Sequence, residues 1–225
     1  MLVVAKNEFF KLFKSIKSIL VILVFICTSY YTAKHFSNSI FESSSNGSPY
    51  YSSLRFCVFI LGYIFVSTLS HDCINGEIES QTIRLVISKI SRKDFLLGKF
   101  IGITLFWCAC ILISSLCIIL ISSVIEIKTI ITMILTCIYF ISIVILNSCI
   151  IPKSSMTNFI GIVLGFIIPG VGLYCYFTEN ALLGIFKYLF PYYYAMNMNV
   201  TVIIIGIISA GIISISYFLI SRKDL

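Results

Sequence analysis

The sequence has little of what acid–base, nucleotide or metal chemistry needs. It contains two histidines, His35 and His71, and nine carboxylates in 225 residues, and every carboxylate falls outside the long apolar runs. It has no G-x-x-x-x-G-K-[ST] phosphate loop, no G-x-S-x-G elbow and no H-E-x-x-H pair. The nearest approach to a phosphate loop, LLGKF at 96–100, lacks the upstream glycine and the following Ser or Thr. The chain therefore has no recognisable means of binding ATP by itself. Proton- or sodium-coupled carriers hold Asp, Glu or His near the bilayer midplane, so the same scarcity disfavours self-driven ion coupling. The nine cysteines, at 27, 57, 73, 108, 110, 117, 137, 149 and 175, form no C-x-x-C and have no clustered histidine. Inside apolar runs they read as small packing residues, and the two histidines read as solvated or interfacial.

What is present is apolar. Hydrophobic types make up 59% of the chain and charged types 11%, and the mean hydropathy is +1.06, well outside the range of a soluble domain. Charge-free runs cover 18–33, 56–70, 100–125, 129–152, 154–178 and 188–221. A helix needs about 20 apolar residues to cross the hydrocarbon core, so the expected fold is an all-α integral membrane protein with six spans. The run at 56–70 reaches span length only if it begins near Ser52. The last run exceeds one span, and its first part, YLFPYYYAMNMN, is aromatic and contains Pro191. The segment 178–199 is thus expected to be interfacial or re-entrant, or simply a long loop, with the final span starting near Val200. Polarity at depth is mild: Ser114, Ser115, Thr136, Ser142, Asn147 and a kink at Pro169 either line a substrate path or bond their own helix backbone. Small-xxx-small spacings at Gly98/Gly102, Gly161/Gly165 and Gly206/Ala210 let helices approach closely, within one subunit or between two.

Basic residues set an orientation. With the N-terminus inside, the inner connections hold Lys6, Lys11, Lys14, Lys17, Arg84, Lys89, Arg92, Lys93, Lys99, Lys153, Arg222 and Lys223; the outer ones hold only Lys34, Arg55, Lys128 and Lys187. Positive segments resist translocation, so both termini are expected in the cytoplasm of a multi-pass plasma-membrane protein. The net charge of +7 then reflects topology and anionic lipid, and gives no reason to invoke nucleic acid. No A-x-A-like signal-peptidase site follows the apolar run VILVFICTSYYTAK at 21–34, and residues 1–17 spread their lysines among Phe and Leu. They are expected to form an amphipathic elbow helix on the inner leaflet, with Phe9, Phe10, Leu12, Phe13 and Ile16 toward lipid.

The most charged stretch is NGEIESQTIRLVISKISRKDFLLGKFIG at 75–102, which begins in the expected cytoplasmic connection 71–94 between spans two and three and runs into the third span. From 74 to 88, Ile74, Ile78, Leu85 and Val86 recur at helical spacing opposite Glu77, Gln81, Arg84 and Ser88, which predicts one amphipathic helix. Lys99 is expected to snorkel to the membrane interface. This stretch resembles the cytoplasmic loop of ABC-2 type transporter permeases, E-x-x-x-G-T-[IL]-x-x-L-L-x-x-P-I-S-R followed by G-K. Glu77 and Glu79 match the acidic positions, Thr82 and Ile83 the T-[IL], Ile90, Ser91 and Arg92 the I-S-R, and Gly98 with Lys99 the G-K. Gln81 stands where that family usually has Gly, and Lys89 where it usually has Pro.

The resemblance implies a bacterial half-transporter whose connection is a coupling helix seated in a separate ABC ATPase, with Glu77, Glu79, Thr82, Ile83, Arg84, Ser91 and Arg92 at or near the contact. It also implies two ATPase copies carrying ATP and Mg, a second permease subunit, identical or homologous, and outward transport. A path without buried charge suits amphipathic cargo, with antimicrobial or other peptides ahead of small hydrophobic drugs. Two other classes stay open: a non-transporting scaffold or immunity-type protein that sequesters a partner, and a lipid-acting membrane enzyme, the latter weakened by the missing acidic or histidine constellation.

Overall fold

The computed structural model describes residues 1–35, 49–178, 186–197 and 200–222, and among these every regular element is helical. Helix α1 (Leu2–Lys14) is separated from α2 (Ile16–His35) by Ser15, whose extended backbone (φ −74°, ψ 132°) makes the elbow. A 3₁₀ turn, Pro49–Tyr51, leads into α3 (Ser52–Phe56), a π-helical turn (Cys57–Leu61) and α4 (Gly62–Ser70). Two short helices follow, α5 (Asn75–Glu79) and α6 (Thr82–Ile87). The long helices are α7 (Arg92–Ser122), α8 (Ile127–Ile150) and α9 (Ser154–Phe177). A short α10 (Pro191–Asn197) and then α11 (Ile203–Arg222) complete the described chain.

Five helical segments are long and apolar enough to cross a membrane: Leu54–Glu79, Arg92–Ser122, Ile127–Ile150, Ser154–Phe177 and Ile203–Arg222. The first begins at Leu54, near the expected Ser52, but gains most of its extra length at the other end, running past Ser70 to Glu79. The other expected span, 18–33, falls in α2, whose apolar stretch Ile16–Tyr31 is shorter than these five. Helix α7, at 31 residues, is about 46 Å long, well beyond the roughly 30 Å hydrocarbon core, so its ends project past that core. Its N-terminal end is the one that meets α1 and α6.

Helix α7 lies at the centre of one half, packed by α1, α2 and α8; α8 carries α11 and α4, and α9 lies on α4. Fully buried aromatics, including Phe25, Phe106, Trp107, Tyr63 and Phe140, fill the seams. Small residues set the closest approaches, and two of the three spacings act within the chain. Gly98 and Gly102 receive α1: a Cβ at Gly102 would stand 2.6 Å from the Ala5 carbonyl oxygen and 2.9 Å from Glu8 Cβ. Gly161 and Gly165 receive Ser67 and Ile64 of α4. Gly206 has only ordinary contact, 3.7 Å to Leu135, and Ala210 is exposed.

The face α1 turns inward is Ala5, Glu8 and Leu12, so Leu12 packs on protein instead of lipid, whereas Phe10, Phe13 and Ile16 stay exposed. Within the expected segment 178–199, helix α10 covers Pro191–Asn197. Its Tyr192, Tyr194 and Ala195 are buried, Tyr192 lies over Gly172, and the Tyr192 hydroxyl donates to the Phe59 carbonyl (2.8 Å) in the π turn. Positions 179–185 and 198–199 lie outside the described residues.

A latched connection between α4 and α7 is the candidate functional site

The expected single helix over 74–88 is broken into α5 and α6. Gln81 sits between them in the left-handed region (φ 56°, ψ 10°), a conformation that costs a side-chain-bearing residue roughly 1–2 kcal/mol. The Ser80 hydroxyl donates to the Gly76 carbonyl (2.8 Å) and meets Thr82 Oγ1 (2.9 Å), helping to hold the chain through the break. The glycine that the resembling loops usually carry at this position would adopt that backbone freely.

Helix α5 is short, but its side chains hold two parts of the bundle. Asn75 and Glu79, four apart and hence on one face, engage the corner between α8 and α9. Asn75 is fully buried. Its Nδ2 donates to Thr157 Oγ1 and to the Ile151 carbonyl (3.3 Å), and its Oδ1 accepts from Ser148 Oγ (3.1 Å). Ser148 Oγ in turn accepts from the Ile74 and Asn75 backbone N–H groups (3.1 and 3.2 Å). Glu79 accepts from the Ser154 N–H (3.2 Å), which puts a carboxylate at the positive end of α9.

Glu77 points the other way. The Lys99 ammonium of α7 pairs with Glu77 and, at 2.7 Å, with Glu8 of α1. Lys99 is only 3% exposed, so it is enclosed beneath α1 and does not snorkel to an interface. Two carboxylates around one ammonium make a buried triad of net charge −1 that ties together α1, α5 and α7. Removing the ammonium from such a cluster strands two carboxylates in low dielectric, at a cost of about 3–5 kcal/mol. Lys11 of α1 adds an exposed companion pair to Asp72 (3.8 Å). Beside the triad lies a groove of about 540 Å³, walled by α1, Val86, Lys89, Ile90 and Phe95.

The other expected site residues are dispersed. Ile83 is buried, while Thr82 and Arg84 are exposed. Ser91 caps α7, accepting from the Asp94 N–H (3.1 Å) and donating to Asp94 Oδ2 (2.8 Å). Arg92 Nη1 donates to the Ile220 and Ser221 carbonyls (3.1 and 2.8 Å), satisfying the last turn of α11. Asn147 donates to the Tyr63 hydroxyl (3.0 Å) between α8 and α4, and Pro169 is buried within α9. Among the other mildly polar residues, Ser115, Thr136 and Ser142 bond carbonyls of their own helices.

Sequence reasoning missed Glu8, Asn75 and Ser148. Glu8 carried a usable signal: it sits between Ala5 and Leu12 at helical spacing, on the stripe that is buried. This arrangement has the chemistry of a mechanical joint, namely capped helix ends and buried ion pairs across three elements.

A bundle of long apolar helices with one polar, cross-tied connection is the architecture of a multi-pass membrane protein. Residues 2–210 match the family described as ABC-2 family transporter protein, a match that runs from α1 into α11, and the chain belongs to that family as a membrane permease subunit. No curated protein matches the chain.

Proposed function

We propose that this chain is the permease subunit of a bacterial ATP-binding cassette exporter. It works with two copies of a separate ATPase, which bind ATP and Mg, and with a second permease subunit. The termini and the α4–α7 connection face the cytoplasm, in keeping with the lysine and arginine distribution, and α2 serves as a sixth span beside the five longer ones. The cargo is amphipathic, a peptide before a small hydrophobic drug, since the apolar runs that form the bundle carry no ionised side chain.

The observation that carries this reading is the construction of α5 and α6. Their exposed residues, Thr82 and Arg84 with Glu79 at the edge, offer a polar surface to a soluble partner. Asn75, Glu77 and Glu79 fasten that surface to α7, α8 and α9 at once. In this reading Arg84 and Thr82 touch the ATPase, whereas Glu77 and Lys99 pass force inward.

Co-purification with candidate ATP-binding subunits tests it. Arg84→Glu changes an exposed side chain and should leave the fold intact. We expect the wild-type chain to co-elute with an ATPase and raise its activity, and the variant to lose both. Undiminished co-elution and stimulation by the variant would remove the connection from the coupling role, and no co-eluting ATPase at all would favour the scaffold alternative.

A further inference from the structure

The two ties that α5 makes are built differently. On the α8–α9 side, Asn75 is fully buried and its amide uses donors and acceptor together, with Ser148 bonding both its side chain and its backbone. Glu79, on the same side, adds an exposed contact to the Ser154 N–H. On the α7 side the tie is a single carboxylate, Glu77. Its side chain is 24% exposed, against 5% for Glu8 on the same ammonium, and it lines the groove of about 540 Å³. Glu8 and Lys99 line the same groove, but Glu8 is almost wholly enclosed, so Glu77 is the carboxylate of the triad that water reaches. The α1–α7 contact is also rigid, because Gly98 and Gly102 bring α1 backbone against α7 with no room for a Cβ. Parting α7 from α1 therefore breaks that close backbone packing and takes the enclosed Glu8 from its only ion-pair partner among the described residues, while parting α7 from α5 returns the part-exposed Glu77 to water and leaves Lys99 paired with Glu8.

We propose that the Glu77–Lys99 pair is a releasable latch: under load the connection parts from a rigid α1–α7 unit at Lys99 and stays fixed to the α8–α9 corner through Asn75. Lys99 is a positioning residue, the fixed pin from which the connection is let go. This deepens the coupling role proposed above and rests on it for the source of the load, although the latch itself is a property of this chain.

Hydrogen–deuterium exchange on the full chain in nanodiscs reads the latch directly. Glu77→Gln keeps the shape and leaves the Lys99–Glu8 pair intact. It should speed exchange over 82–90 by about tenfold, the loss expected for one charge-assisted hydrogen bond. Exchange in α1 and at 151–157 should stay at the wild-type rate. Trypsin cleavage after Arg84 and Lys89 should quicken in step. Glu8→Gln should do the reverse, loosening α1 and leaving 82–90 unchanged. The proposal is overturned if Glu77→Gln loosens α1 or 151–157 by the same factor, which would make the junction one body, or if 82–90 does not respond. Co-elution of Arg84→Glu with an ATPase is scored separately, so a working latch in a chain that recruits no ATPase would refute the coupling role and leave the latch standing.

Discussion

Gly102 and Gly206 allow one chemical change, Gly→Ala, to be made at two places where opposite results are expected. Alanine at an exposed or loosely packed helix site gains about 1 kcal/mol over glycine through helix propensity. At Gly206 the new Cβ meets only Leu135 at 3.7 Å, ordinary contact, so Gly206→Ala should stabilise by up to that amount. At Gly102 it would stand 2.6 Å from the Ala5 carbonyl oxygen and 2.9 Å from Glu8 Cβ, and the first of these is backbone that cannot rotate away. Helix α1 must then back off, lengthening the 2.7 Å Lys99–Glu8 pair as it goes. Overpacking costs about 1–3 kcal/mol, and the strain on the ion pair adds to it. After the propensity gain a net loss of about 2 kcal/mol remains, a fall in melting temperature of roughly 4–8 °C for a chain of this size. Thermal unfolding of both variants in one detergent measures the contrast, and exchange in α1 should rise only for Gly102→Ala. If Gly102→Ala melts with or above the wild type, α1 is not seated on α7 as described and the rigid half of the latch fails with it.

Other expectations follow from the same geometry. At φ 56°, Gln81→Val should lose roughly 1–2 kcal/mol and Gln81→Gly should be at least as stable as the wild type in the same melts; a valine variant of unchanged stability would refute the strain assigned to this break. Asn75→Ala takes the acceptor of the Ser148 O–H and a donor each from Thr157 Oγ1 and the Ile151 carbonyl, and should cost about 3 kcal/mol, with exchange rising at both 75–79 and 151–157. Lys99→Met leaves Glu8 and Glu77 facing each other without a cation, and should be the most damaging single change here, about 3–5 kcal/mol; a mild effect would mean that the triad is already hydrated. Arg92→Met frees the Ile220 and Ser221 carbonyls, and should speed exchange at the end of α11 while the rest of the bundle is unaffected.

The spans were legible because lipid imposes one rule, about 20 residues without charge, and residues 100–125, 129–152 and 154–178 obey it openly. The first helix was legible from its spaced lysines, but the face that meets protein was legible only in part. Phe10, Phe13 and Ile16, expected toward lipid, are exposed, whereas Leu12, expected beside them, joins Ala5 and Glu8 on the face that seats on α7, where Gly98 and Gly102 admit only a thin stripe. Periodicity ran through 74–88 without interruption, since it records which way side chains point and not whether one residue has turned left-handed. The departure at Gln81, a longer residue where resembling loops carry glycine, marked the break.

Lys99 was misplaced for a different reason. Local sequence puts it at the end of a charged segment, as a snorkelling lysine would be, and its partner Glu8 lies 91 positions away. Contacts at that separation leave no periodic trace. Glu77 looked like a surface acid on the same grounds, and Arg84 keeps the exposed position that a partner contact needs.

The most direct test of the account is a photo-reactive amino acid placed at Arg84, in a chain co-expressed with a candidate ATP-binding subunit, with the same residue at Ile125 between α7 and α8 as the control. Ile125 is exposed and lies at the opposite end of α7. The account predicts that position 84 crosslinks to the ATPase and position 125 does not. Capture from 125, or none from 84 in a complex that hydrolyses ATP, would contradict it.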